Sequence, residues 1–163
     1  MFCHPDSYCE KHYPFMKKSY IEYSVQDSTA RGRNRVLGAT LLGGFVLYSI
    51  VLVIATHLPN GTTVVRFPGF DKLLHFGAYG CQATLAMGVL CVVGRASSKS
   101  IVLLVVALAC FGGIDEITQP VFGRQAEFLD WVADCVGIVL AVWCVWSFSR
   151  FTGAISPRRT TPS

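Results

Sequence analysis

Charge is scarce in this chain: 14 Lys and Arg with 10 Asp and Glu in 163 residues make 15% charged, where an average soluble domain carries about 25%. Hydrophobic residues fill 52% of the sequence and the mean hydropathy is +0.47, which excludes an ordinary soluble domain and points to a membrane protein. A cleavable signal is also missing, because the first 35 residues are polar and the first apolar run exceeds the roughly 7 to 15 residues of a signal h-region. That run is expected to stay in place as a helix. A disulfide framework is equally absent. Cys81, Cys91, Cys110, Cys135 and Cys144 fall inside apolar runs and read as small packing residues. Cys3, His4, Cys9 and His12 follow no standard zinc spacing and read as solvated tail residues.

What the chain does have is four apolar stretches, at residues 36–56, 73–93, 101–120 and 128–148. Each matches the roughly 20 helical residues that cross a hydrocarbon core. The expected fold is an all-α integral membrane four-helix bundle over residues 36–148, with a polar tail at 1–35 and a second tail at 149–163. The third stretch is interrupted by Asp115 and Glu116. Each such charge costs about 2.5 to 3.5 kcal/mol at mid-bilayer and less near an interface, so both are expected close to the membrane surface.

Cationic flanks set the expected orientation. Arg31, Arg33, Arg35, Arg95, Lys99, Arg150, Arg158 and Arg159 border one side; only Arg66, Lys72 and Arg124 border the other. The first side is cytoplasmic by the positive-inside rule, which puts both termini in the cytoplasm of a multi-pass protein of the cell (inner) membrane. The net charge of +4 is thereby a topology signal and calls for no nucleic-acid partner.

With that topology the ionisable residues gather at the extracytoplasmic side. Asp71 and His75 are four apart, as are Asp130 and Asp134, and Glu116 and Gln119 are three apart. Each pair therefore shares a helix face, and the three faces are expected to converge on one pocket. Tyr79 and Gln82 continue the polar stripe of the second span, and Gly137 on the fourth would allow close helix contact. Gly112 and Gly113 are read as softening the third span so that Glu116 turns inward. Trp131, Trp143 and Trp146 are read as interfacial anchors. The loops at 60–70 and 122–127 would form the pocket's lips, with Arg124 as a gate.

Three kinds of function suit these residues. In an enzyme on a lipid-linked envelope substrate, His75 would be the general acid or base, with Glu116 or Asp130 as a second proton-transfer group. Asp71, Lys72, Gln119, Arg124 and Asp134 would bind the substrate, Arg124 through its planar fork and Lys72 as a point charge. A variant places a divalent cation among Asp71, His75, Glu116 and Asp130; the ligand types allow it, but the spacing follows no standard motif, so no metal or other cofactor is expected. In a non-catalytic module the same cations would hold an anionic headgroup, or the polar residues would be interhelical glue. Proton or ion transport fits less well, since the first span lacks ionisable residues between 36 and 56. Membrane lipids are the partners common to the first two.

The motifs Asp71-Lys72-Leu73-Leu74-His75, Glu116-Ile117-Thr118-Gln119, Arg124 and Asp130-Trp131-Val132-Ala133-Asp134-Cys135-Val136-Gly137 occur in this order, preceded by Thr56-His57-Leu58-Pro59. Taken together they resemble the VanZ-like family of small multi-helix membrane proteins over most of residues 36–148. Asp134 stands where that pattern frequently has Asn. The resemblance implies a multi-helix membrane fold and an association with teicoplanin resistance and cell-envelope processes.

Overall fold

The computed structural model describes residues 14–58 and 69–152, and these are helical throughout apart from their connections. Four helices, α1 (Pro14–His57), α2 (Phe70–Val92), α3 (Ser98–Thr118) and α4 (Phe128–Phe151), are long and apolar enough to cross a membrane. No strand occurs among the described residues. The expected all-α, multi-pass membrane architecture is thus observed. The helices match the four apolar stretches to within a few residues, with one exception. α1 begins at Pro14, inside the segment expected as a tail. That segment has good helix formers and an Asp27–Arg31 ion pair spaced one turn apart. The Cys3, His4, Cys9 and His12 group and most of the 60–70 loop lie outside the described residues, as does the tail expected at 149–163 apart from its first residues, which continue α4 to Phe151.

The chain divides between Leu37 and Gly38 into two units. In the first, the described side chains of α1 are mostly exposed, Tyr23 and Val36 among them. The second unit holds the remainder of α1 with α2, α3 and α4, and carries the site.

Packing in this second unit is organised by helical periodicity. On α2 the buried residues are His75, Tyr79, Gln82, Ala83, Ala86 and Met87; on α4 they are Asp130, Asp134, Gly137, Ile138, Val142 and Ser149. Both sets recur at three and four residues and form single stripes. α2 and α4 make the most extensive interface of the unit, and its closest approach is at glycine. A methyl built on Gly80 would sit 3.5 Å from the Gly137 carbonyl oxygen. One built on Gly137 would overlap the Phe76 carbonyl oxygen. The expected role of Gly137 is therefore met, because without a Cβ the two backbones can touch.

Polarity is arranged opposite to that of a soluble protein. Leu73, Leu103, Ile117, Phe128, Trp143 and Phe148 point outward, as suits a lipid surround. Three of the six largest fully buried side chains, Gln82, Gln119 and Asp134, are polar. Gln82 Nε2 donates to Ser49 Oγ at 3.0 Å and Tyr48 Oη donates to the Ala78 carbonyl at 2.9 Å. These two bonds tie α1 to α2 in the middle of the unit. Buried polar atoms in hydrocarbon need such partners, since water is not there to supply them.

Candidate functional site

The polar end of the unit is built from the C-terminus of α1, the N-terminus of α2, the C-terminus of α3 and the N-terminus of α4. A 3-10 turn, Gln119–Phe122, follows α3 directly, with Pro120 near its start. It ends at Gly123, whose φ of +78° is the left-handed conformation that favours glycine. There the Gly123 N–H bonds to the Pro120 carbonyl and the Arg124 N–H to the Gln119 carbonyl. This closure turns Arg124 back over the bundle. Its Nη1 donates to the Thr56 carbonyl at 2.8 Å and its Nη2 lies 3.8 Å from Asp71 Oδ1. Thr56 is in the last turn of α1, where unpaired carbonyls and the helix dipole both favour a cation. With only 12% of its side chain exposed, Arg124 is a clamp on α1 and not the free gate that its loop position suggested.

His75 is the centre of the site. It is buried, and its Nδ1 lies 3.0 Å from Oδ1 of Asp134, which is itself 1% exposed. With Asp134 ionised and the imidazole neutral, Nδ1–H donates to the carboxylate and Nε2 keeps its lone pair. Nε2 forms no hydrogen bond among the described residues. His75 also lines a cavity of about 240 Å³ together with Asp71, Tyr79, Arg124, Thr56 and apolar residues of α1 and α2. Asp130 lies close enough to His75 to interact electrostatically. One oxygen each from Asp71 and Asp130 and a ring nitrogen of His75 fall within 4.8 Å of one another.

Lys72 bridges Glu127 and Asp130, at 2.8 and 3.2 Å. Its ammonium holds the Glu127 carboxyl below the ordinary value of 4.5. A lowered folded value means that the ion pair contributes stability above the unfolded pKa, and that this contribution is lost as pH falls through the folded one. Acid unfolding of the detergent-solubilised protein is therefore expected to steepen below about pH 4.5, and Glu127→Gln is expected to remove that part of the slope. An unchanged profile in the variant would show that the pair has no energetic weight.

Glu116, expected as a second acid or base, bonds to both sides of the α3–α4 connection. Its Oε1 accepts from the backbone N–H of Glu127 at 2.6 Å, and its Oε2 from Gln119 Nε2 at 3.1 Å. Glu127 is the N-cap residue of α4 and supplies no side-chain cap; the Glu116 carboxylate, from α3, instead binds the backbone N–H of the N-cap residue, the bond that a carboxylate makes in a capping box. This satisfies an N-terminal donor and sets a negative charge at the positive end of the helix. Glu116 and Gln119 thus position α4. Of the six other candidates, Asp71, His75 and Arg124 line the cavity, Asp134 holds His75, Asp130 lies near His75 and Asp71, and Lys72 pairs with Asp130.

A second buried group lies alongside, made of residues that the sequence did not single out as site residues. Thr56 Oγ1 donates to Asp115 Oδ1 at 2.9 Å, and His57 pairs with the Thr118 hydroxyl at 2.9 Å with its Nδ1 3.5 Å from Asp115. Asp115 Oδ2, Tyr79 Oη and Asp134 Oδ2 are buried without a hydrogen bond among the described residues. The signal for Asp115 was available. Leu108, Gly112, Asp115, Glu116 and Gln119 repeat at three and four residues and are all buried, so both acidic neighbours share the inner stripe. Gly112 and Gly113 do not soften α3, which runs unbroken. They provide clearance instead: a methyl on Gly112 would lie 3.1 Å from the Tyr79 ring and 3.3 Å from Asp134 Oδ2, and one on Gly113 would lie 3.4 Å from the Trp131 indole nitrogen. Trp131 is correspondingly more than an anchor, since its Nε1 donates to the Ala109 carbonyl at 3.0 Å and ties α4 to α3.

No family model, curated protein or solved structure matches the chain.

Proposed function

We propose that this is a VanZ-like protein of the cell (inner) membrane, with both termini cytoplasmic, whose polar end opens to the extracytoplasmic side and binds or acts on the anionic headgroup of an envelope lipid or lipid-linked precursor. The observation that carries this reading is the meeting of His75, Asp130, Asp134 and Arg124, from two helices and a loop, beside a cavity bordered by apolar helix surface. A headgroup in that cavity would keep its tails in the bilayer, while Arg124 offers unused guanidinium donors and His75 a lone pair on Nε2. The eight-to-three division of Lys and Arg between the flanks supports the orientation. The residue order Asp71, Lys72, His75, Glu116, Gln119, Arg124, Asp130, Asp134 supports the family reading and, through it, a part in glycopeptide tolerance.

A second reading, a membrane scaffold in which the polar residues are glue, is favoured by the bonds of Glu116 and Asp115, which join helices directly. Growth of a sensitive bacterial host under a lipoglycopeptide separates the two. Wild type is expected to raise tolerance. His75→Ala, Asp130→Asn and Arg124→Lys, at matched membrane expression, are expected to return it to the empty-vector level. Retention of wild-type tolerance in all three would leave the scaffold reading.

A further inference from the structure

Among the described residues the polar end carries six carboxylates, Asp71, Asp115, Glu116, Glu127, Asp130 and Asp134, and two fixed cations, Lys72 and Arg124; Arg66, in the loop at the same end, lies outside the described residues. Four of the six are buried, each no more than 5% exposed. Protonating both His57 and His75 still leaves two negative charges in excess. Uncompensated charge at such burial costs several kcal/mol per ion, so a cation bound at this end would be strongly favoured. An anionic headgroup makes the imbalance worse.

We infer that a divalent metal ion binds at Asp71, His75 and Asp130, with Asp134 holding the histidine behind it. The inference deepens the headgroup reading, because an ion there supplies the positive charge that an anionic ligand needs to enter this end of the bundle.

Three features of the geometry favour the site. One carboxylate oxygen each of Asp71 and Asp130 and one of the two ring nitrogens of His75 already lie within 4.8 Å of one another. With Nδ1 engaged by Asp134, the nitrogen left for the metal is Nε2, and a buried carboxylate fixing a ligating imidazole through its far N–H is the usual outer-shell arrangement at such sites. His75 is nine-tenths buried, lines the cavity, and has no hydrogen bond at Nε2 among the described residues. The competing cations can also yield. Lys72 keeps Glu127 at 2.8 Å when Asp130 is taken. Arg124 spends its 2.8 Å bond on the Thr56 carbonyl and stands 3.8 Å from Asp71. Asp71 is the exposed ligand and gives an ion a way in from solvent.

Three protein ligands leave coordination positions open, which a closed structural site does not. The cavity beside His75 and Asp71 is where they face, and a phosphate or carboxylate oxygen of the headgroup would complete the shell. Mixed imidazole and carboxylate ligation suits first-row divalent ions such as Mn²⁺ or Zn²⁺ better than Ca²⁺ or Mg²⁺. Glu116 is left out of the ligand set, since one of its oxygens is bonded by the Glu127 N–H at the head of α4 and the other by Gln119.

The test is a Mn²⁺ titration of the purified full chain in detergent, followed by electron paramagnetic resonance. One ion per chain is expected to bind, with electron spin echo modulation from an imidazole nitrogen. His75→Ala and Asp130→Asn are expected to weaken binding at least about tenfold, and Asp134→Asn about 10- to 100-fold. Nitrogen modulation is read on the wild-type protein, so it remains decisive if a variant fails to fold. Absence of stoichiometric binding, absence of nitrogen modulation, or unchanged binding in folded His75→Ala overturns the inference. Lost lipoglycopeptide tolerance in His75→Ala without Mn²⁺ binding in wild type would leave the headgroup reading and remove the metal. Mn²⁺ binding in a protein that confers no tolerance would do the reverse.

Discussion

Gly137→Ala is expected to destabilise the protein by about 1–3 kcal/mol or more, and to disturb the site along with the fold. The added methyl overlaps the Phe76 carbonyl oxygen, which is backbone and cannot rotate aside, so α2 and α4 have to separate. Phe76 is the neighbour of His75, and Asp134 lies one turn before Gly137. Separation therefore lengthens the His75–Asp134 hydrogen bond of 3.0 Å and moves Asp130 away from Asp71. Gly77→Ala is the matched comparison, because nothing lies within 4 Å of a methyl there. It is expected to be neutral or to stabilise by up to about 1 kcal/mol through helix propensity. Unfolding in a graded series of detergent mixtures, followed by circular dichroism, measures both. Equal stabilities for the two variants would place the α2–α4 seam elsewhere.

The seam also shows how the sequence carried the fold. Hydropathy located four helices because a membrane span needs about 20 apolar residues and tolerates few charges, and that constraint is stricter than any local propensity. Two periodic stripes, Asp71 with His75 and Asp130 with Asp134, gave the facing sides of α2 and α4, since three- and four-residue spacing fixes a helix face whatever the partner. What the spacing could not give was the occupation of each polar atom. Glu116 read as a proton-transfer group, yet its oxygens are taken by a backbone N–H eleven residues on and by Gln119. Asp115 read as an interruption, yet Thr56 of α1 meets it at 2.9 Å. Arg124 read as a gate because loops are normally solvated, yet the left-handed turn at Gly123 folds it onto α1. Apart from the Glu116–Gln119 bond, these depend on contacts between different segments of the chain, and helical periodicity carries no information about them. The start of α1 at Pro14 was missed for another reason: a polar helix has no hydropathy signal.

Asp134 offers the sharpest separation between charge and hydrogen bonding at this site. Its Oδ1 holds His75, while its Oδ2 lies beside Gly112 with no hydrogen bond among the described residues. In Asp134→Asn the amide oxygen can still accept from Nδ1–H, and a buried negative charge disappears. Since an uncompensated buried charge opposes folding, the variant is expected to be at least as stable as wild type when no divalent ion is present. Asp134→Leu removes the acceptor altogether and leaves a buried N–H unpaired, at a cost of about 1–3 kcal/mol. The expected order of stability in chelator is therefore Asn at or above Asp, and Asp above Leu. Adding Mn²⁺ is expected to stabilise wild type, since an ion that binds only the folded state shifts the equilibrium toward it. The Asn variant should gain less, because a neutral amide makes His75 a weaker ligand than a carboxylate does. Thermal unfolding of the three proteins, with and without Mn²⁺, reads the whole pattern. If Asn proves as damaging as Leu in chelator, Asp134 is held as a charge by a partner already in the fold, and no bound ion is required to hold it.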